Sequence, residues 1–150
     1  MNNLKPKVII SACLLGHRCR YDGQTKKTTE FLDAFSEYEI IPFCPEAPLF
    51  GTPRERISVI EIDGENRIIT DKTNKDVTQL LKDEINSFIS LHPSVDKIIL
   101  KSKSPSCGIQ TTPILNKNRE KLKVGNGIAG EIFLNHYKKN NIKNEKDYEI

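Results

Sequence analysis

The sequence predicts an α/β fold with a mostly parallel sheet, and three observations lead there. Short continuous apolar runs stand in "VIISAC", "EIIPFC" and "KIILKSKSPSC", each bounded by Ser, Pro or Gly, as suits strands buried on both faces. Segments with apolar residues at helical spacing alternate with these runs. The chain has 150 residues, 37% hydrophobic and 29% charged, which is the size of one domain with one core and too apolar for a disordered chain. The predicted organisation is a single domain, residues 1–150, with a Rossmann-like sheet flanked by helices and a β-hairpin insertion.

The first strand is "VII", Val8 to Ile10. Lys5 and Lys7 precede it and "ISAC" follows, the outline of a lipoprotein cleavage box, but three apolar residues fall short of the roughly 7–15 that an export signal uses. No run approaches the roughly 18 residues of a membrane span, so no membrane partner is expected and a reducing cytoplasm is the expected location. A short helix is expected in "TKKTTEFLDAFSEY", with Phe31, Leu32 and Phe35 facing inward. After the second strand, "ISVIEIDGENRIIT" reads as a hairpin turned at Asp63 and Gly64, a pair suited to a two-residue turn.

In "DVTQLLKDEINSFISLH", Val77, Leu80, Leu81, Ile85, Phe88 and Ile89 form one helical face, and Asp76 with Gln79 resembles a capping box. The third strand is "KIIL". A last helix follows "VGNG", with Ile128, Ile132, Phe133 and Tyr137 on its apolar side, and the tail "NHYKKNNIKNEKDYEI" reads as a solvated helix end and polar extension. With 23 Lys plus Arg against 20 Asp plus Glu, the net charge of +3 is too small to imply a nucleic-acid field, so no stable nucleic-acid complex is expected.

Four cysteines occur, Cys13, Cys19, Cys44 and Cys107, with no C-x-x-C pair to indicate a zinc ribbon or a thioredoxin-type motif. Three of them, Cys13, Cys44 and Cys107, follow predicted strands. Parallel strands joined by crossovers bring their carboxyl ends to one edge of the sheet, where ligands collect, so these three thiols are expected to converge. Three soft donors suit zinc, copper(I) or an iron-sulfur cluster and leave one position open for substrate. Cys19, between Arg18 and Arg20, reads as core filler or a neighbouring thiol.

Other candidates cluster around these cysteines. In "CPE", Pro45 restricts the backbone so that Glu46 can point into the same crevice as a general acid or base. Ser102, Ser104 and Ser106 supply hydroxyls around Cys107. Arg54 in "TPRE" is a candidate substrate fork, with a salt bridge as the alternative. Gly125, Asn126 and Gly127 stand before a helix, where backbone amides could meet an anion or the polar edge of a heterocycle.

In order along the chain, "SACLLGHRCRYDG", "CPE" followed by "GTPRE", "KDVT", "LKSKSPSCG" and "GNGIAGEIF" resemble a small bacterial domain-of-unknown-function family associated with iron-sulfur dependent 2-thiouracil desulfidases. The match runs roughly from Val8 to Phe133. The resemblance implies a [4Fe-4S] cluster held by Cys13, Cys44 and Cys107, with Glu46 as catalytic acid/base and a serine assisting, Ser104 ahead of Ser102. The implied substrate is a small thiolated nucleobase. On this resemblance its sulfur would meet the open iron, a non-redox Lewis acid, and water activated by Glu46 would replace that sulfur to give uracil and hydrosulfide. The chain departs from the family pattern after "CPE", where Ala47, Pro48, Leu49 and Phe50 stand in place of a glycine-rich step. Alternative readings are a three-cysteine zinc hydrolase and a non-catalytic sulfide carrier or metal sensor.

Overall fold

The computed structural model describes residues 5–15, 33–51 and 53–144. In chain order the elements are β1 (Lys7–Ser11), β2 (Glu39–Phe43), α1 (Glu46–Phe50), β3 (Ile57–Ile62), β4 (Glu65–Thr70), α2 (Thr78–Leu91), β5 (Lys97–Leu100), β6 (Thr112–Leu115), β7 (Lys121–Gly125), α3 (Ile128–His136) and β8 (Ile142–Asn144). The strands build two sheets. One is parallel throughout, in the order β2-β1-β5-β8, and the other is mixed, in the order β4-β3-β6-β7.

The parallel sheet explains the unbroken apolar runs. Val8, Ile9 and Ile10 are all fully buried, because alternate side chains enter packed layers on opposite faces. Ile9, Ile41, Phe43, Ile98 and Leu100 join the main core, whereas Val8, Ile10 and Ile99 pack with Leu14 and Phe35 in a second one. Phe43 anchors the helices over the first face, its ring centroid 4.7 Å from that of Phe88 in α2 and 4.9 Å from that of Phe133 in α3. Phe35, expected to face inward, does so; Cys19, Phe31 and Leu32 lie outside the described residues.

The hairpin forms as its sequence predicts, with Asp63 at φ 52° and Gly64 at φ 82°, both in the left-handed region that a tight two-residue turn needs. It does not stand alone. β3 pairs in parallel with β6, which pairs antiparallel with β7, so the hairpin belongs to a second sheet whose inner residues Val59, Ile68 and Ile114 share the main core.

Two expectations about α2 need correction. Val77, Leu81, Ile85 and Ile89 are buried, but Leu80 is 53% exposed, since turning Leu81 fully inward carries its neighbour about 100° away. No capping box forms. Val77 occupies the N-cap and Gln79 donates to Asp83 at 2.9 Å. Asp76 Oδ1 instead accepts the Thr78 amide at 3.0 Å and the Thr78 hydroxyl at 2.6 Å, and Oδ2 accepts Arg67 Nε at 2.8 Å. Burial alone would raise the Asp76 carboxyl, but these hydrogen bonds prevail and hold it at about 2.

The tail is the third correction. Ile142–Asn144 is β8, the edge strand beside β5, with Ile142 and Asn144 buried. The Asn144 side chain clasps Ile109 from both sides, accepting its amide at 3.1 Å and donating to its carbonyl at 2.8 Å. Among the described residues no helix is long and apolar enough to cross a membrane.

Candidate active site

The three parallel strands β1, β2 and β5 end on the same edge, and the chain beyond each carries one of the three cysteines. Cys13 lies in the 3-10 turn Ala12–Leu15, Cys44 directly follows β2, and Cys107 closes the loop after β5. All three line one cleft of about 250 Å³, together with Glu46, Arg54 and Ser104. Cys13 and Cys44 are half-buried, Cys107 is buried, and all three are thiols rather than half-cystines. Cys44 Sγ accepts the Ala47 amide at 3.4 Å, which favours negative charge on that sulfur.

Burial pushes the Cys107 thiol well above the ordinary range. A hydrogen bond from Ser11 opposes this, while the nearby Cys13, Cys44 and Glu46 push it further up, so three thiols and a carboxylate crowd one another here. Ser11, at the end of β1, also accepts the Lys101 amide at 2.9 Å, tying β1 to the start of the Cys107 loop. The sequence carries no signal for Ser11, a serine at a strand end being unremarkable in itself.

Glu46 opens α1 behind Pro45, whose φ of −76° lies within the range its ring allows. Its Oε1 accepts Arg54 Nε at 3.2 Å and its Oε2 accepts the Ser106 hydroxyl at 2.7 Å. Arg54 is therefore salt-bridged, the alternative that its sequence left open. Ser106 is buried, with its hydroxyl proton directed to Glu46 and the residue itself outside the cleft lining.

Ser104 holds the cysteine loop. Its hydroxyl oxygen accepts the Ser106 amide at 3.1 Å and the Cys107 amide at 2.9 Å, and its carbonyl accepts the Gly108 amide at 3.0 Å. Both lone pairs of the hydroxyl are thus engaged, and its O–H, with no acceptor among the described residues, remains for a ligand in the cleft that Ser104 lines. Ser102 lines the same cleft and is buried.

Gly125, Asn126 and Gly127 are brought elsewhere. They lie outside this cleft, and the amides that start α3 are spent on the cysteine loop: Ile128 donates to the Pro105 carbonyl at 3.0 Å, Ala129 to the Ser106 carbonyl at 2.7 Å, and Gly127 to the Gly108 carbonyl at 2.8 Å. The segment thus buttresses Cys107, with peptide carbonyls taking the place of an anion. Asn126 extends the support by accepting the Gln110 amide at 2.7 Å.

A family model described as 2-thiouracil desulfurase matches residues 8–145. The chain belongs to the 2-thiouracil desulfurase family. The chain is 31% identical over 110 residues to the uncharacterized protein YbbK of Bacillus subtilis (strain 168), covering 67% of this chain and 72% of that protein. It is also similar to the solved structure of the [4Fe-4S]-dependent thiouracil desulfidase TudS (DUF523Vcz), with a TM-score of 0.73 and 33% identity, covering 95% of this chain and 92% of that one. Likeness over that share extends the resemblance from separate motifs to the fold as a whole.

Proposed function

We propose that this member of the family is a [4Fe-4S]-dependent desulfidase that converts thiouracil, or another small thiolated nucleobase, to its carbonyl counterpart and hydrosulfide. The observation that carries the reading is the meeting of three thiols, from segments as far apart as Cys13 and Cys107, with the Glu46 carboxylate in one cleft. The donor set fits the cluster. Three soft thiolates suit iron-sulfur ligation and leave one iron of a cubane without a protein ligand, open to the substrate sulfur.

Cys13, Cys44 and Cys107 would hold the cluster, which when bound supplies an open, thiophilic Lewis-acid iron for the substrate sulfur. The remaining chemistry belongs to the chain. Glu46 takes a proton from water as its oxygen adds to the thione carbon; the C–S bond then breaks and sulfur leaves as hydrosulfide. Thione plus water gives carbonyl, hydrosulfide and one proton, with no change of oxidation state. The Ser104 O–H donates to a heteroatom of the bound ring, holding it while the carbon is attacked. Anaerobic purification followed by iron, sulfide and uracil analysis tests the reading: iron and labile sulfide in equal amounts, with uracil formed from thiouracil, are expected. Zinc without iron in an active protein would contradict it.

A further inference from the structure

Both oxygens of the Glu46 carboxylate are held from outside its own helix. Arg54 Nε donates to one at 3.2 Å and the Ser106 hydroxyl to the other at 2.7 Å. The Arg54 and Glu46 side chains are only 5% and 12% exposed, and Ser106 is 1% exposed, so bulk water competes little for these bonds. The partners are anchored in turn. Arg54 Nη1 donates to the Gly51 carbonyl at 3.0 Å, while Ser106 sits in the turn fixed by Ser104 and by the start of α3.

From this geometry we infer that Ser106 and Arg54 are positioning residues for the reaction, acting through Glu46 rather than on the substrate; the inference rests on the reading of Glu46 as acid/base given above. A glutamate carboxylate turns about a broad, nearly unhindered terminal torsion, and proton transfer demands heavy-atom distances within a few tenths of an ångström. Two donors on opposite oxygens stop that rotation. Each carboxylate oxygen has two lone-pair sites, so one donor apiece leaves capacity for the proton being moved. The Ser106 bond spans 60 positions of sequence and latches the segment carrying Cys44 to the turn carrying Cys107. The carboxylate is thereby placed relative to two of the three thiols at once. Among the described residues Glu46 is the one acid that lines the cleft, and both of its oxygens are engaged.

The test is a double-mutant cycle on protein matched for iron content. Ser106→Ala should lower kcat about tenfold or more while KM changes less than about twofold, because the lost bond orients a catalyst and not the substrate. In a Glu46→Ala background the same change should cost nothing further. Arg54→Ala should behave likewise, and added guanidinium should recover part of its kcat only when Glu46 is present. A readout apart from turnover is thermal unfolding of the metal-free chain: Ser106→Ala should lower Tm by about 3 °C or more alone, and by much less beside Glu46→Ala. Losses that multiply across the cycle, or that fall on KM, would overturn the inference and make Ser106 and Arg54 substrate contacts or independent structural residues. An iron-loaded parent that releases hydrosulfide from neither thiouracil nor other small thiolated nucleobases would sink the desulfidase reading and this inference with it, whereas an active parent with multiplying losses sinks the inference alone.

Discussion

At Ser104 one oxygen serves two purposes. It accepts the Ser106 and Cys107 amides and keeps its own O–H for the cleft. Ser104→Ala should therefore lower turnover about tenfold or more, from the lost donor and a looser turn, while much of the iron is retained because the Ser104 carbonyl still holds the Gly108 amide. Turnover equal to the parent's would move the role to Ser102. The cysteines are expected to divide cleanly. Cys13→Ser, Cys44→Ser and Cys107→Ser should each abolish iron retention, since two thiolates do not hold the cluster, whereas Cys19→Ser should keep it; iron analysis after anaerobic reconstitution decides. The meeting of Cys13, Cys44 and Cys107 in one cleft was legible in the sequence, because each follows a strand of the parallel sheet. The partner of Glu46 was not, because Ser106 lies 60 positions away and only the folded turn brings its hydroxyl round.

At the scale of elements, α3 and the Cys107 loop are fitted backbone to backbone. A Cβ on Gly127 would meet the Ser106 carbonyl carbon at 2.6 Å and the Pro105 carbonyl oxygen at 2.8 Å, neither of which can swing aside as a side chain would. Gly127→Ala should thus cost about 1–3 kcal/mol in denaturant unfolding and reduce iron retention by pushing the loop away from the helix. Parental stability and iron content would show that the fit is looser than this geometry implies. The glycines before α3 were visible in the sequence but pointed equally to a bound anion, because amides at a helix start serve either a ligand or a neighbouring loop. α2 was readable from its spacing, apart from Leu80 and the capping arrangement, where Asp76 serves Thr78 and Arg67 instead of joining Gln79.

For the whole molecule, the apolar runs gave away β1, β2 and β5 because a parallel sheet buried on both faces needs uninterrupted hydrophobic strands. β6 and β7 left no such trace. "TPIL" is four residues long and carries Pro113, and "KLKVG" alternates Lys with Leu122 and Val124 but forms an edge strand exposed along most of its length, so neither is a continuous apolar run. β8, three residues in a charged tail, is a strand only because β5 offers it an open edge. The result of this packing is a sheet edge that gathers three thiols and one clamped carboxylate, the proposed desulfidase centre. The most direct measurement is uracil formation from thiouracil under anaerobic conditions by the parent and by Glu46→Gln at equal iron content. Steady uracil and hydrosulfide release by the parent is expected, with a fall of about 10²-fold or more in the variant and iron retained; an iron-loaded parent that releases hydrosulfide from neither thiouracil nor other small thiolated nucleobases, or a Glu46→Gln rate equal to the parent's, would contradict the desulfidase reading.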